Sequence, residues 1–183
     1  MDTLLNQPAV TWSDPVIIRP ITAADLPALE WNGEYARFRK IYADAYDRFL
    51  RGLTLIYVAD LPGVGVIGQV FVQLICDRLE LADGVDRAYL YSFRILPAYR
   101  GRGLGTLMMN RVEEELTRRN FSWVTLNVAK DNPGAQRLYQ RRGYQVVAHE
   151  PGRWFYPDEN GVWQVVDEPA WRMEKQLTPM PRQ

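Results

Sequence analysis

Apolar positions recur along the chain with two periods, which together predict an alternation of strands and helices. A spacing of three and four residues, typical of one helix face, runs from Phe38 to Phe49 and recurs over residues 103–119. Short runs rich in β-branched and aromatic residues predict strands instead. The predicted strands are residues 16–18, 54–59, 64–75, 87–96, 123–128, 144–148 and 171–177, with a hairpin over residues 154–166.

Local signals mark where the predicted helices begin and end. Thr22, followed three residues later by Asp25, resembles a capping box and predicts a short helix. Asn132 and Pro133 are a favoured N-cap and a favoured first helical residue, and Gly143 ends the helix that they start.

The order of these elements favours a mixed α/β sheet with helices on both faces. Strand 87–96 leads through a helix to strand 123–128, which predicts a right-handed parallel unit. A chain of 183 residues fits one domain. We therefore expect a loose leader over residues 1–15, a single domain over residues 16–177 and a tail over residues 178–183.

Composition narrows the function classes. Lys+Arg and Asp+Glu both number 22, so the overall charge favours neither nucleic acid nor an anionic membrane. The single Cys76 excludes an internal disulfide, and the single His149 argues against a His/Cys metal cluster. No apolar run reaches the roughly 18 residues of a membrane span, and the polar start does not resemble a signal peptide. These features predict a cytoplasmic enzyme or binding domain without a metal.

A glycine-rich turn between a predicted strand and a predicted helix is the most informative segment. After Ile95 the sequence continues Leu-Pro-Ala-Tyr-Arg-Gly-Arg-Gly-Leu-Gly and ends at Thr106. The first amides of a helix lack intrahelical partners and lie at the positive end of its dipole, and glycines allow a ligand to approach them. The turn therefore predicts a phosphate or pyrophosphate site. Its glycines do not follow the G-x-G-x-x-G dinucleotide pattern, and the Gly-Lys-Ser/Thr of a P-loop is missing.

Two blocks of the sequence together resemble the GNAT superfamily of acyl-CoA-dependent N-acyltransferases. The stretch from Arg100 to Gly105 resembles the family signature Q/R-x-x-G-x-G/A. About thirty residues later, the stretch from Asn127 to Ala135 and the pair Leu138-Tyr139 are similar to the second hallmark. The resemblance covers about residues 16–177. It implies a mixed, largely antiparallel sheet with a central splayed parallel strand pair and helices on both faces.

The resemblance also implies a role for particular residues. The backbone of Phe93, Arg94 and Ile95 would bond the pantetheine arm like an added strand, and Asn132 would lie beside that arm. The hydroxyl of Tyr139 would face the thioester sulfur and protonate the leaving thiolate. The backbone amides that hold the CoA pyrophosphate would belong to Arg100, Gly101, Arg102, Gly103, Leu104, Gly105 and Thr106.

The chemistry of thioester aminolysis agrees with this set of residues. The reaction needs a neutral amine, a stabilised oxyanion and a proton for the sulfur. A phenol with a pKa of about 10 stays protonated at neutral pH, and a backbone N–H can bind the oxyanion. Asn127 stands where some family members carry a glutamate that helps to deprotonate the amine. Asparagine cannot act as a base, so we expect it to position the substrate or a water. The general base is unassigned, and the candidates for a relay are Glu34, Asp47, Glu80 and Asp86.

Aromatic residues concentrate in two places that, in this family, commonly border the acceptor site. Core packing explains most of them, and an apolar or cation-binding wall is the alternative. Arg94, Arg100 and Arg102 fit either a solvated rim or a rim around CoA phosphates. The aromatic residues are Trp31, Tyr35, Phe38 and Tyr42, then Trp154, Phe155 and Tyr156.

The sequence therefore predicts an N-acetyltransferase that uses acetyl-CoA as co-substrate and needs no metal. Its acceptor would be a primary amine, on a small molecule or a peptide or protein N-terminus, that attacks directly in a ternary complex. The alternatives are a non-catalytic acyl-CoA sensor and an interaction module without cofactor binding. The partners are acetyl-CoA and the amine, without nucleic acid or membrane, and a homodimer is left open.

Overall fold

The computed structural model describes residues 15–178. The predicted leader, apart from Pro15, and the predicted tail, apart from Thr178, lie outside the described residues. The strands are β1 (Ile17–Pro20), β2 (Thr54–Leu61), β3 (Gly65–Gln73), β4 (Arg87–Ile95), β5 (Trp123–Ala129), β6 (Gln145–Glu150), β7 (Arg153–Pro157), β8 (Trp163–Asp167) and β9 (Ala170–Gln176). The α-helices are α1 (Arg39–Leu50), α2 (Leu104–Arg118) and α3 (Pro133–Arg141), and the 3₁₀ segments are Ala23–Glu30, Ala36–Phe38 and Pro97–Tyr99.

Seven strands form one sheet in the order β1-β2-β3-β4-β5-β9-β6. The strands β4 and β5 are parallel, and the other neighbours in this sheet are antiparallel. The strands β7 and β8 form a separate antiparallel ribbon. This topology confirms the predicted mixed, largely antiparallel sheet with its central parallel pair, and the predicted hairpin between the two closing strands.

Apolar side chains on the two faces of the sheet build two cores, as expected for a sheet covered on both sides. One core places Met108 of α2 and Tyr139 of α3 against strand residues such as Leu126. The other places Tyr42 of α1 and Tyr156 of β7 against the opposite face. The prediction of helices on both faces is confirmed. None of the described helices has the length and apolarity that crossing a membrane requires.

The helix boundaries follow the predicted signals with one difference. The Asn132 side chain caps α3 by accepting a hydrogen bond from the Ala135 amide at 3.1 Å, and Gly143 adopts φ +90° just after the helix. The Thr22 amide donates to the Asp25 carboxylate at 2.7 Å, as the capping-box resemblance predicted. The segment that follows is a 3₁₀ helix and contains Pro27. A proline inside a helix lacks an N–H and clashes with the preceding turn, which disfavours a regular α-helix there.

Candidate functional site

The parallel strands β4 and β5 pair over only part of their length and then separate. The paired register runs from Arg87 opposite Trp123 to Leu90 opposite Leu126. Beyond Leu90, β4 stays beside β3 on the other side, where Tyr91 is opposite Phe71 and Ile95 is opposite Gly68. A gap therefore opens in the middle of the sheet at the carboxyl ends of β4 and β5, as the family resemblance predicted.

A β-bulge in β4 lies at the point where the strands separate. Gln69 of β3 is opposite Arg94, but Phe71 is opposite Tyr91, so β4 has one extra residue there. Ser92, within the bulge, has φ +49°. Bulges increase the local twist and bend the strand that carries them. The bulge thus accounts for the divergence of β4 from β5.

The backbone groups of β4 after the bulge are directed alternately to its two sides. The Leu96 amide donates to the Ile67 carbonyl, on the β3 side, at 2.9 Å. Because successive residues of a strand point to opposite sides, the backbone N–H and C=O groups of Phe93 and Ile95 point into the gap, whereas those of Arg94 point toward β3. The Ile95 carbonyl accepts from the Arg100 side chain, so an extended ligand in the gap would pair with the remaining groups as a neighbouring strand would.

The glycine turn closes the carboxyl end of this gap. Gly101 and Gly103 have φ +70° and +83°, and a Cβ added to either would meet no described atom within 4 Å. The Leu107 amide donates to the Gly103 carbonyl, so the amides of the preceding first turn have no intrahelical acceptor. The Arg100 Nε donates to the Ile95 carbonyl at 2.8 Å and ties the turn to β4. The open space and the amide donors suit a phosphate group.

Tyr139 reaches the same region from α3. It is 8% exposed and belongs to the core between the helices and the sheet, where its ring lies 5.8 Å from that of Tyr144. No hydrogen bond links its hydroxyl to another described residue. Burial, and to a smaller extent the phenol of Tyr89, raises the pKa of Tyr139 above its ordinary value of 10. The phenol is therefore protonated throughout the neutral range.

Asn127 lies on β5 directly beside the separation point. Its side chain hydrogen-bonds to the Tyr89 hydroxyl, a contact that lowers the pKa of that phenol, whereas the larger effect of burial raises it to about 12. The Oδ1 atom of Asn127 is buried and has no partner among the described residues. An acceptor atom without a donor is costly in a protein interior, so this position is suited to receive an N–H or a water.

Tyr89 and Tyr91 form the floor of the gap between β4 and β5, and no motif in the sequence pointed to either of them. Their rings are stacked with centroids 5.8 Å apart. The charges of Arg78 and Glu150 both affect the pKa of Tyr89, which places them near its hydroxyl. Arg78 donates to both Glu150 oxygens, at 2.8 and 3.2 Å. The period-two alternation of β4 indicated one face for both tyrosines, but only the fold brings Glu150 close to them.

The relay candidates chosen from the sequence lie in different places. Glu80 accepts a hydrogen bond at 2.8 Å from Arg78, the arginine that also donates to Glu150. Glu34 and Asp47 are exposed, and Asp86 is partly buried at the start of β4. The buried carboxylate near Tyr89 belongs instead to Glu150, which is 7% exposed. No spacing rule would have found Glu150, because it lies 61 residues from Tyr89 in the sequence.

The two aromatic groups largely join in one wall. The Phe38 ring lies 5.0 Å from that of Tyr156 and 6.2 Å from that of Trp154. Tyr35 stacks on Phe38 at 6.1 Å. Phe155 does not take part: it is 57% exposed, because alternation along β7 turns it away from its neighbours. Of the β7 aromatics, Trp154 and Tyr156 therefore belong to this wall, whereas Phe155 does not.

Comparison with known proteins agrees with this geometry. A family model described as "Acetyltransferase (GNAT) family" matches residues 23–144. The chain belongs to the GNAT family. The matched region contains the bulge, the glycine turn and Tyr139, so the site lies within the part of the chain that defines family membership.

Several GNAT relatives resemble the chain more specifically. It is 27% identical over 97 residues to the probable N-acetyltransferase san of Drosophila melanogaster, covering 51% of each chain. It is 27% identical over 105 residues to N-alpha-acetyltransferase 50 of Danio rerio, covering 55% of this chain and 60% of that protein. The chain thus spans about half the length of the curated relatives it matches.

Among solved structures, the GNAT fold recurs over most of the chain. The ribosomal-protein-S18-alanine N-acetyltransferase from Escherichia coli gives a TM-score of 0.67 at 21% identity and covers 92% of this chain and 97% of its own. The spermidine/spermine N-acetyltransferase SpeG from Vibrio cholerae gives a TM-score of 0.65 at 20% identity, with 88% and 92% covered. At these identities the likeness shows the fold.

Replacing Asn127 with alanine tests its predicted positioning role. We expect kcat to fall by about five- to tenfold, the value of one hydrogen bond of roughly 1 kcal/mol, and the acetyl-CoA affinity to stay unchanged. Steady-state rates and a calorimetric titration measure the two quantities. Unchanged turnover together with weakened acetyl-CoA binding would assign Asn127 to the cofactor instead.

Proposed function

We propose that the chain is an N-acetyltransferase that transfers the acetyl group of acetyl-CoA to a primary amine. The amine attacks the thioester directly in a ternary complex, and no acetyl-enzyme forms. The acceptor is a small molecule or the N-terminus of a peptide or protein. Family membership supports acetyl-CoA as the donor, and the gap between β4 and β5 can accept its extended pantetheine arm.

The observation that carries this proposal is the gap between β4 and β5. It opens after Leu90, offers the backbone groups of Phe93 and Ile95, ends at the glycine turn, and has Tyr139 at its side. A binding module would need the turn and the strand edge. A protonated tyrosine without a hydrogen-bond partner among the described residues has a further use only if a proton must be delivered.

Each step of the transfer has a residue of this chain to assist it. The amine nitrogen forms a bond to the carbonyl carbon, and an N–H in the gap, such as that of Phe93, stabilises the oxyanion. When the C–S bond breaks, the hydroxyl of Tyr139 donates a proton to the sulfur. The proton that the amine nitrogen loses passes to a water positioned by Asn127, and Tyr139 regains its own proton from water before the next turnover. No covalent nucleophile is required.

The similar proteins narrow the acceptor only in part. Their names include a ribosomal-protein-S18-alanine N-acetyltransferase and a spermidine/spermine N-acetyltransferase, so this fold serves both protein and small-molecule amines. N-alpha-acetyltransferase 50 is a further relative whose name indicates an N-terminal acceptor. A peptide N-terminus and a small amine therefore both stay candidate acceptors.

Thiol release in the presence of an amine panel tests the function. Wild-type protein with acetyl-CoA should release CoA steadily only when a suitable amine is added, and the amine should gain one acetyl group. Saturable acetyl-CoA binding without release, across small amines and peptide N-termini, would instead support the non-catalytic sensor. A null titration with acetyl-CoA would support an interaction module.

The pH dependence of the rate should follow the amine rather than the protein. With no base assigned, kcat/KM should rise with pH until the acceptor amine is neutral. It should then stay level to about pH 10, because the raised pKa of Tyr139 keeps its proton in place. Profiles for three amines of different pKa measure this. A rising limb at one fixed pH for all three would reveal an enzymic base.

The cellular location and the assembly are further parts of the proposal. A single cysteine in the sequence fits a reducing compartment such as the cytoplasm. The strand β6 forms one edge of the sheet and exposes Val146 and Val147. Since an open edge can pair with another chain, a homodimer would form there, and light scattering measures it.

A further inference from the structure

The side chain of Arg94 extends from β4 into the aromatic wall. Its Nη1 donates to the Tyr42 hydroxyl at 2.7 Å and to the Ser92 Oγ at 3.3 Å. Its guanidinium carbon lies 4.1 Å from the centroid of the Tyr35 ring and 5.3 Å from that of Phe38. These contacts hold the guanidinium in one orientation, so the direction of its remaining N–H groups is also fixed.

The charge of Arg94 has no acidic partner within residues 15–178. No carboxylate there lies within 4.0 Å of the guanidinium, and Nε and Nη2 make no hydrogen bond in that range. Four other partly buried arginines, with side chains 17–29% exposed, each pair with at least one acid, whereas Arg48 and Arg111 have no carboxylate within 4.0 Å among the described residues. The four paired arginines are Arg19, Arg87, Arg142 and Arg172. A partly desolvated cation without a counter-charge is unfavourable, so Arg94 is suited to an anion from outside the chain.

The free edge of Arg94 also defines the shape of that anion. Because Nη1 is occupied by Tyr42 and Ser92, the Nε and Nη2 pair is left, and this edge matches the two oxygens of a carboxylate. A single N–H donor would bind any anion, whereas two parallel N–H donors held in one plane favour a planar group that accepts through two oxygens.

The position of Arg94 links this edge to the acceptor side of the reaction. Its side chain and that of Tyr91 both contact the core beneath α1, whereas Phe93 packs into the core on the opposite face of the sheet. Tyr91 stacks on Tyr89, which lies beside Asn127 at the gap. Arg94 therefore lies along the same floor as the groups that face the reacting amine, away from the glycine turn.

A second cation makes this floor positive. Arg48 of α1 lowers the pKa of Tyr91, and its Nη2 donates to the Ile75 carbonyl at 2.8 Å. The Nε of Arg48 is buried without a partner among the described residues. Asp44, one turn earlier, acts on Tyr91 in the opposite sense but is exposed. A polycationic amine would meet two arginines here.

We propose that Arg94 binds a carboxylate of the acceptor, so that the substrate is a primary amine that also carries a carboxylate. This inference rests on the proposed acetyltransferase function and names its substrate class. The carboxylate belongs to an amino acid or to an acidic residue of a short peptide. Arg94 acts as a specificity residue, and the chemistry of acetyl transfer does not require it.

Matched acid and amide acceptors test the inference. Glycine, β-alanine and 4-aminobutyrate, and the dipeptide Gly-Glu, are each compared with the amide that lacks the carboxylate charge. We expect wild-type protein to prefer the acids at equal concentrations of neutral amine. In Arg94→Gln, kcat/KM for the best acid should fall about tenfold to a hundredfold more than for its amide, as expected for a charge-assisted bidentate contact. The amine pKa cancels because each acceptor is compared between two proteins.

Arg37→Gln is the matched control. Arg37 lies 4.6 Å from the centroid of the same Phe38 ring, but it is exposed and donates to the Glu34 carbonyl. Its replacement should change kcat/KM neither for the acids nor for the amides. The acetyl-CoA affinity of Arg94→Gln, measured by calorimetry, should equal that of wild type, because only the backbone of Arg94 is expected near the pantetheine.

Several results would overturn the inference. One is a wild-type kcat/KM for the amides that equals or exceeds that for the acids. A second is an equal loss of kcat/KM for acids and amides in Arg94→Gln, and a third is a loss of acetyl-CoA affinity in that variant. The wild-type preference decides the question even if the variant does not fold. If the wild-type protein acetylates only amines without a carboxylate, the inference about Arg94 is wrong and the proposed acetyltransferase function stands. Wild type that binds acetyl-CoA but acetylates no amine of any kind would remove the proposed function itself.

Discussion

Replacing Tyr139 with phenylalanine is expected to lower kcat by about a hundredfold and to leave the acetyl-CoA affinity nearly unchanged. General-acid contributions are on the order of a hundredfold to ten-thousandfold. We expect the low end because burial raises the pKa of Tyr139, which makes it a weaker acid, and because a thiolate with a pKa of about 8.5 already leaves readily. The proton matters mainly in the transition state, so the effect belongs to kcat.

The structure offers a matched control for this prediction. Tyr144 is the buried neighbour of Tyr139, and its hydroxyl donates to Glu113 at 3.1 Å, where Lys175 and Arg142 also bind. Tyr144→Phe should lower the unfolding free energy by about 1–2 kcal/mol and leave kcat unchanged. Wild-type turnover in Tyr139→Phe would mean that this tyrosine is structural and that another group delivers the proton.

Replacing Gly103 with valine is expected to abolish acetyl-CoA binding in a protein that still folds. Gly103 has φ +83° with open space beside it, so a side chain would fill the approach to the amides of the turn. Losing charge-assisted contacts to a phosphate should weaken affinity by about a hundredfold or more. The stabilisation by ligand, about 2.7 kcal/mol at a hundred times Kd for wild type, should vanish from thermal melts.

Backbone strain must be separated from blocked binding in this experiment. A side chain at positive φ costs about 1–2 kcal/mol, which lowers stability by itself. Gly63, in the β2–β3 turn, has φ +81° and equally open space. Gly63→Val should show a similar loss of stability with a full acetyl-CoA shift. Unchanged acetyl-CoA affinity in folded Gly103→Val would contradict the assignment of the turn.

Much of the fold was predictable because its signals are local. The cap at Asn132, the glycine at position 143 and the apolar stripe of α2 each follow from short-range rules, and the structure confirms them. The parallel β4–β5 unit followed from one strand-helix-strand order. The turn residues were chosen from the chemistry of free amides at a helix start, which needs no tertiary information.

The rest of the site depends on features that leave no local pattern. Ser92 carries the positive φ of the bulge, yet serine is not among the residues that favour this region. The bulge shifts which side chains of β4 lie on each face of the sheet. The sequence suggested only a solvated rim or a rim around CoA phosphates for the Arg94 side chain, which instead contacts Tyr42 and Tyr35. Glu150 approaches Tyr89 only because β6 and the loop with Arg78 meet across the sheet. Such contacts follow from topology, not from spacing.

The central claim is direct acetyl transfer from a donor held between β4 and β5 to an amine. Mass spectrometry of the reaction tests it most directly, with protein, small products and CoA measured in the same sample. We predict that acetyl-CoA alone leaves the protein mass unchanged. Added amine should yield CoA and acetylated amine in equal amounts, with the protein still unmodified. An acetylated protein formed before the amine is added, and consumed by it, would contradict direct transfer, and the absence of acetylated amine would contradict the enzyme itself.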